Sequence, residues 1–136
     1  TMTYKIEEIE GIGPKYGAKL GEAGITTTEK LLELCCDKKG RKTVAEQTGF
    51  QESQLLKWAN MADLMRVSGI GGEYSELLEA AGVDTVKELK TRRADNLTAK
   101  MVEINEAKKL VRSLPSQATV EKWIEQAKTL EPKVSY

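Results

Sequence analysis

Two glycines and a lysine near the start of the chain have the types and spacing of an anion-binding turn. In the stretch GIGPKYGAKL, Gly11 and Gly13 flank one isoleucine, and Lys15 follows where an apolar pattern typical of a helix begins. The first N–H groups of a helix lack partners inside it and carry partial positive charge, so they suit an anion. Glycines let a phosphate approach the backbone closely, and a nearby lysine adds a full charge. The predicted phosphate-binding residues are Gly11, Ile12, Gly13, Lys15 and Lys19.

The same pattern recurs 58 positions later. Ile9–Leu31 aligns without gaps with Val67–Leu89, and identities fall at both glycine and apolar positions. An internal repeat of this kind predicts a pseudo-symmetric architecture. We therefore expect two helical units, residues 1–64 and 65–136, packed together as one compact domain.

The two copies differ in charge directly after the glycine turn. Where the first copy has Pro14 and Lys15, the second has Gly72 and Glu73. Glu73 places a negative charge beside the position where a phosphate would bind, although a carboxylate in a first helical turn stabilises the helix. The second turn, with its three glycines, is therefore predicted to be structural or to face a protein. Those glycines are Gly69, Gly71 and Gly72.

The elements that position these residues are predicted to be helices and turns throughout, so the expected fold class is all-α. A helix is expected from Pro14 to Ala23, ended by Gly24. The spacing of Leu64, Val67 and Ile70 predicts a short helix that leads into the second glycine turn. The predicted N-caps of later helices are Thr26, Asp84 and Ser116.

Several residue types that enzymes need are missing. The sequence has no histidine, which removes the usual general base and metal ligand. Cys35 and Cys36 are adjacent, which is unlike a zinc or redox spacing, and we expect two buried or half-buried thiols near a helix end. No nucleophile or nucleotide-binding motif is present. We therefore expect no catalytic residues, no metal site and no cofactor. Trp58 and Trp123 are predicted to pack in the interior.

The charge balance confines any basic surface to part of the molecule. Lysine plus arginine and aspartate plus glutamate both number 21, so the formal net charge is zero. Two short basic stretches, DKKGRK and KELKTRR, follow the repeated segments. Either stretch could be an ordinary solvated face or could extend a phosphate-binding surface. Their candidate contact residues are Lys38, Lys39, Arg41, Arg92 and Arg93.

No part of the sequence predicts a membrane or export segment. No apolar run approaches the roughly 20 residues that span a bilayer. The start, TMTYKIEEIEG, is acidic and lacks the apolar stretch of a secretory signal. We therefore expect a cytoplasmic protein with no membrane partner. Thr1, which precedes Met2, is interpreted as an addition outside the fold.

The glycine turns resemble the helix-hairpin-helix motif. That motif has an apolar residue, a Gly-apolar-Gly turn and a helix that often opens with Pro-Lys, and IEGIGPKYGAKL matches it closely. VSGIGGEYSELL matches in the turn and at the apolar positions. The resemblance implies a SAM-like helical architecture and binding of the DNA backbone, without sequence preference, through hairpin N–H groups and nearby basic residues.

The whole chain is similar to an uncharacterised, mainly bacterial family of tandem helix-hairpin-helix proteins of unknown function. That similarity includes the stretches RKTVAEQTGF, KWANMADLMRV and VEKWIEQAK. It supports the architecture and implies no established activity.

Two function hypotheses remain open from the sequence. The first is a non-catalytic module that binds double-stranded or structured DNA through the first turn. The second is a protein-interaction or scaffolding module in which the turns only join helices. A common face for Lys15, Lys38 and Arg92 would favour DNA. Neutralisation of the first turn by Glu7, Glu8 and Glu10 would favour a protein partner.

Overall fold

The fold is known from a computed structural model that describes residues 3–136, so Thr1 lies outside the described part. Within residues 3–136 the chain is helical, and its only β-pairing is an isolated antiparallel bridge between Lys5 and Thr27. The prediction of an all-α fold is therefore confirmed for these residues. A 3-10 helix (Ile6–Glu8) comes first. Eight α-helices follow within the described residues: α1 (Pro14–Glu22), α2 (Thr28–Cys35), α3 (Lys38–Thr48), α4 (Glu52–Leu64), α5 (Gly72–Ala80), α6 (Val86–Leu89), α7 (Ala94–Lys108) and α8 (Gln117–Ala127).

Two clusters of buried apolar side chains form the interior. One draws on residues 6–65 and the other on residues 64–127. Leu64 belongs to the second cluster and Met65 to the first, so the clusters meet at the end of α4. Every residue from Trp58 to Leu64 is buried, because α4 packs against α2 and α3 on one side and α5 on the other. The helix α4 is thus the common support of both clusters.

The repeated sequence has a repeated backbone. The φ angle is +94° at Gly11 and +92° at Gly69, a conformation that side chains with a Cβ rarely adopt. Gly13 and Gly71 then take extended conformations as N-caps of α1 and α5, which are both nine residues long. We call residues 11–13 the first glycine turn and residues 69–71 the second glycine turn.

Each glycine turn rests on a tryptophan of its own cluster. A Cβ atom built on Gly11 would lie 3.8 Å from Nε1 of Trp58, and one on Gly69 would lie 3.2 Å from Nε1 of Trp123. The two indoles are buried, at 4% and 2% exposure. The prediction that both tryptophans pack in the interior is confirmed.

Two predicted N-caps are wrong by one residue. Thr27, not Thr26, caps α2, because its hydroxyl accepts the N–H of Lys30. Thr85, not Asp84, caps α6. The caps of the other helices include Ser116, whose hydroxyl accepts the N–H of Thr119, as predicted.

The short helix expected at Leu64, Val67 and Ile70 is also absent from the described chain. α4 ends at Leu64, and residues 65–69 form consecutive turns. The N–H of Val67 bonds the carbonyl of Leu64, and that of Ile70 bonds Val67. These three-residue bonds keep the apolar side chains on one buried side, which is why the spacing resembled a helix.

The last residues of the chain form hydrogen bonds with both halves of the molecule. Arg41 donates from Nη2 to the carbonyl of Ser135 at 2.8 Å, and the Ser135 N–H bonds the carbonyl of Cys36. The hydroxyl of Tyr136 donates to Oδ2 of Asp84 at 3.0 Å. We call residues 131–136 the C-terminal segment. It links the end of α2 to the start of α6.

Candidate functional site

The first glycine turn is open to solvent. Gly11, Gly13, Pro14 and Lys15 are exposed, and a Cβ atom built on Gly13 would have no heavy atom within 4 Å. Within residues 3–136, the backbone N–H groups of Gly11, Gly13 and Lys15 bond no carbonyl. The turn therefore presents unpaired donors at the start of a nine-residue helix, the geometry that favours an anion.

Two lysines of α1 accompany these donors. Lys15 and Lys19 are exposed, and neither lies within ion-pair distance of a carboxylate in the described chain. They stand one helical turn apart, so they share a side of α1. The Nζ atom of Lys19 lies 5.3 Å from the centre of the Phe50 ring, a cation–π contact. The structure thus brings both lysines of the predicted site together.

Ile12 must be removed from the predicted contacts. Its N–H donates to the carbonyl of Ile9 at 3.0 Å, and its side chain is 2% exposed. Ile12 anchors the turn in the interior and has neither a free donor nor an accessible surface for a phosphate.

The helix that follows the second glycine turn begins against the first half of the molecule. A Cβ atom on Gly72 would overlap the carbonyl oxygen of Glu8, so the start of α5 packs directly on the backbone of the 3-10 helix. This contact explains why a glycine stands in the second copy at the position of Pro14. The start of α5 is therefore in contact with the first half of the molecule, whereas Gly69 is exposed and a Cβ atom on Gly71 would have no heavy atom within 4 Å.

Carboxylates gather near that contact. Burial raises the pKa of Glu10, and the negative charges of Glu76 and Glu73 raise that pKa further. Glu7 packs on α1, since a Cβ atom on Gly17 would lie 2.9 Å from its Oε2. The acidic residues that precede the first turn thus lie against α1 and α5, and the surface beside the second turn is negative.

The basic stretch at residues 38–42 does not join the first turn. Lys38 and Lys39 are exposed at the start of α3, whereas Lys19 lies beside Phe50, just beyond the end of that helix. The two ends of an 11-residue helix are about 15 Å apart. The structure therefore separates Lys38 and Lys39 from Lys19 by about the length of α3.

Arg41 must also be removed from the predicted contacts. It is 3% exposed, and it donates to the carbonyl oxygens of Cys35 and Ser135. Its guanidinium ties α2 to the C-terminal segment, so Arg41 is a structural residue.

Arg92 and Arg93 form their hydrogen bonds with residues of the second half of the chain. Arg92 donates to Glu88 and to the carbonyl of Gly82, at 3.0 and 2.9 Å. Arg93 pairs with Asp95 at 2.9 Å, and this hydrogen-bonded pairing lowers the pKa of Asp95. Both arginines line a hollow of about 440 Å³ built from residues 81–100 alone. They are therefore partly neutralised and separate from the first turn.

Both glycine turns lie within the stretch that a known family model matches. The model is described as Domain of unknown function (DUF4332), and it matches residues 10–130. The chain belongs to this family. Comparison with curated proteins and with solved structures found no match. The DUF4332 match extends over all eight α-helices of the described chain.

Two further results concern the whole DUF4332 chain between residues 3 and 136. None of its helices has both the length and the apolar character needed to cross a membrane. In the same residues, no group of three or more Cys, Asp and Glu side chains is placed to hold a metal ion.

Sequence reasoning missed a buried ion pair at the junction of the two clusters. Asp63 Oδ1 accepts from Arg66 Nη1 at 2.6 Å, and Asp63 Oδ2 accepts the N–H of Val86 at 2.9 Å. Arg66 Nη1 also donates to the carbonyl of Glu131. The available signal was two opposite charges three positions apart within the apolar run WANMADLMRV.

Proposed function

We propose that this chain is a non-catalytic module that binds the phosphate backbone of DNA, without sequence preference, through the first glycine turn. The observation that carries the proposal is the contrast between the two turns. The first is followed by an exposed helix start with Lys15, whereas the second is followed by Gly72, which packs on the Glu8 carbonyl, and by Glu73. The first turn thus leads into an open, basic helix start, and the second into a packed, acidic one.

We also propose that the repeated segments are two helix-hairpin-helix units related by pseudo-symmetry. Matching positive φ angles at Gly11 and Gly69, equal lengths of α1 and α5, and a tryptophan beneath each turn support this assignment. The units then have different tasks, because only the first has an exposed helix start and a lysine after its turn.

Phosphate binding would use backbone and side chain together. The unpaired N–H groups of Gly13 and Lys15 provide directed donors, and the positive end of α1 adds a favourable field. Lys15 and Lys19 provide full charges that can each neutralise one phosphate. Such contacts reach only the sugar-phosphate chain, so they position a duplex without reading its bases.

The small number of charges sets the expected salt dependence. Each neutralised phosphate lowers the logarithm of the binding constant by about 0.9 per logarithmic unit of salt on B-DNA. Two lysines therefore predict a slope of about −1.8. The affinity is expected to be low, because the formal net charge of zero provides no long-range attraction.

The test is fluorescence anisotropy with labelled duplex and junction DNA at rising salt. Lys15→Glu should abolish most of the binding while the helical content stays unchanged. Lys122→Glu, at an exposed position on α8, changes the net charge equally and should leave most of the binding intact. Absence of binding at low salt, or equal losses in both variants, would contradict the proposal.

A protein-interaction module is the second candidate, because one observation favours it. Glu10, Glu73 and Glu76 form a negative surface beside the second turn, which repels DNA and suits a basic partner. This candidate predicts no DNA binding at low salt and a stoichiometric protein partner whose capture is insensitive to nuclease. Glu73→Lys should weaken that capture, whereas Lys15→Glu should not.

A further inference from the structure

A cavity of about 320 Å³ lies between α2, the end of α4 and the C-terminal segment. Its size is at the lower end of the range for small-molecule pockets, which is about 300–1,000 Å³. Its wall combines apolar side chains with polar and charged ones, so the cavity offers both apolar contacts and groups that can fix the orientation of a ligand. The main wall residues are Thr28, Leu32, Cys36, Ala62, Arg66 and Lys133.

The guanidinium of Arg66 is incompletely paired where it meets this cavity. Arg66 is 6% exposed, and Nη1 is held by Asp63 and by the carbonyl of Glu131. Nε is buried without a hydrogen-bond partner. Among the described residues, Nη2 also donates to no other atom in the structure. The Nε–Nη2 edge, one of the two forks of an arginine, is therefore unoccupied.

That edge provides the pair of donors that a carboxylate receptor uses. Nε–H and an N–H of Nη2 are parallel donors that match the two oxygens of a carboxylate. Because Asp63 already fixes Nη1, the fork is held in place before any ligand arrives. The side chains of Leu32 and Ala62 lie in the same wall and can cover an apolar body.

We propose that this cavity binds a small monocarboxylate with an apolar body, with its carboxylate on the Nε–Nη2 edge of Arg66. The proposal is independent of DNA binding by the first glycine turn. Glu29 and Glu33 also line the cavity, so a phosphate dianion would meet two carboxylates. Lys133, from the C-terminal segment, supplies a second positive charge, which makes the site sensitive to the docking of that segment.

Cys36 provides an internal reporter of occupancy. It lines the cavity and is half-buried, whereas Cys35 is fully buried in the first cluster. Hexanoate should slow alkylation of Cys36 by the neutral reagent iodoacetamide, with a concentration dependence that saturates. Hexanamide, which has the same chain without the charge, should require at least about tenfold higher concentration for equal protection. Inorganic phosphate should give none.

Two variants and one control test whether hexanoate binds in this cavity. Arg66→Lys keeps a positive charge beside Asp63 but lacks the fork, and it should weaken hexanoate protection by at least about tenfold. Cys36→Leu fills part of the cavity without touching Arg66 and should abolish hexanoate-induced amide shifts in residues 28–36 in NMR spectra. Ala45→Leu, a half-buried change on α3 outside the cavity, should retain them.

The readouts separate this proposal from the proposed function. Loss of DNA binding in Lys15→Glu leaves the hexanoate result unaffected, and the reverse holds for Cys36→Leu. If hexanoate produces neither protection nor amide shifts, or if hexanamide or phosphate acts equally well, the carboxylate site is overturned. Should Arg66→Lys fail to fold, the contrast between Cys36→Leu and Ala45→Leu decides the question.

Discussion

Gly72 is a residue that packing, rather than backbone conformation, restricts to glycine. It stands at the first position of α5, where other residues are allowed, yet a Cβ atom there would overlap the carbonyl oxygen of Glu8. The aligned residue of the first copy is Pro14, which is exposed. A single side-chain difference between the copies thus follows from the contact between them.

Replacement of Gly72 by alanine should destabilise the protein by about 1–3 kcal/mol, the usual cost of an overpacked contact. Urea denaturation followed by circular dichroism measures this change. Gly21→Ala on α1 is the matched control, because a Cβ there meets nothing within 4 Å. That control should gain up to about 1 kcal/mol from the better helix propensity of alanine. Equal stabilities of the two variants would contradict the packing of α5 on the 3-10 helix.

The adjacent cysteines should differ sharply in reactivity. Burial raises the pKa of the Cys35 thiol to about 12, so almost no thiolate forms at neutral pH. Cys36 is half-buried and accessible from the cavity. One thiol per chain should react in the native protein, and peptide mapping should assign it to Cys36. Two thiols should react in denaturant; rapid reaction of Cys35 in the native state would refute its burial.

At the scale of single residues, the sequence predicted the exposure of the candidate lysines but not the burial of Arg41. Lys15 follows the glycine turn and is exposed as expected. Arg41 lies in the basic stretch DKKGRK, but it falls on the same face of α3 as Val44 and Thr48, and all three are buried. Local composition describes a stretch, whereas burial depends on the helix face. One of the two carbonyls that accept from Arg41, that of Ser135, also lies far along the chain.

Among the elements, the C-terminal segment is notable for long-range contacts with residues far from it in the sequence. It accepts hydrogen bonds from Arg41 and Arg66 and places Val134 against the first cluster. The segment has no regular secondary structure, so its position depends on side chains of other elements. Removal of the segment therefore takes hydrogen-bond acceptors away from Arg41 and Arg66, which are buried in the intact chain.

Deletion of residues 133–136 should reduce the free energy of unfolding by about 2–4 kcal/mol, because a charged hydrogen bond and a backbone bond are lost together. Arg41 would keep its bond to Cys35 but lose Ser135. Thermal denaturation of the shortened chain measures the effect. A loss no larger than that of Tyr136→Phe, which removes one exposed bond, would contradict the structural role of the segment.

Tyr136→Phe should show a distinctive pH dependence. Burial, and then the hydrogen bond to Asp84, raise the pKa of Tyr136 from 10.0 to about 12. Because the folded-state pKa is the higher one, the stabilisation is fully present below the unfolded pKa of 10.0 and is lost as the pH rises through about 12. The difference in melting temperature between wild type and variant should therefore shrink at alkaline pH. A constant difference would mean that the Tyr136 hydroxyl is not bonded.

The sequence predicted the existence of most helices better than their starting residues. Ser116 was predicted correctly because one polar residue precedes the α8 pattern. Before α2 and α6, two neighbouring polar residues compete, and long-range contacts decide between them. The carbonyl of Thr26 accepts the N–H of Ile6, and the carboxylate of Asp84 accepts from Tyr136, so Thr27 and Thr85 are left to cap α2 and α6.

For the whole molecule, the two apolar clusters are joined rather than separate. α4 supports both, Asp63 bonds the N–H of Val86, and Gly72 packs on Glu8. The repeat in the sequence indicated two copies, but each of these two contacts joins a residue of the second copy, Val86 or Gly72, to one outside the repeated segments, Asp63 or Glu8. Their number makes independent unfolding of the two halves unfavourable.

A pair of single-tryptophan variants tests this cooperativity. Trp58 lies in the first cluster and Trp123 in the second, so Trp123→Phe reports on the first and Trp58→Phe on the second. Within each variant, the urea midpoint from fluorescence should coincide with that from circular dichroism. Distinct midpoints in either variant would show that the clusters unfold separately.

The charge pattern of the folded molecule was beyond sequence reasoning. The sequence showed basic and acidic stretches, but it did not show that α3 separates Lys38 from Lys19 or that Glu10 lies near Glu76. These distances depend on how helices pack, and the same stretches on another packing would produce another surface. The open first turn beside two lysines is what remains as a candidate contact.

The most direct measurement is the shift of backbone amide signals when a short DNA duplex is added at low salt. We expect shifts at Gly11, Gly13 and Lys15, and little change at Gly69 and Gly71. We also expect the affinity for the duplex to fall about twelvefold as salt rises from about 50 to about 200 mM, because two neutralised phosphates give a slope of about −1.8. Shifts confined to the second glycine turn, or no shifts at all, would contradict the claim that the first glycine turn binds the phosphate backbone.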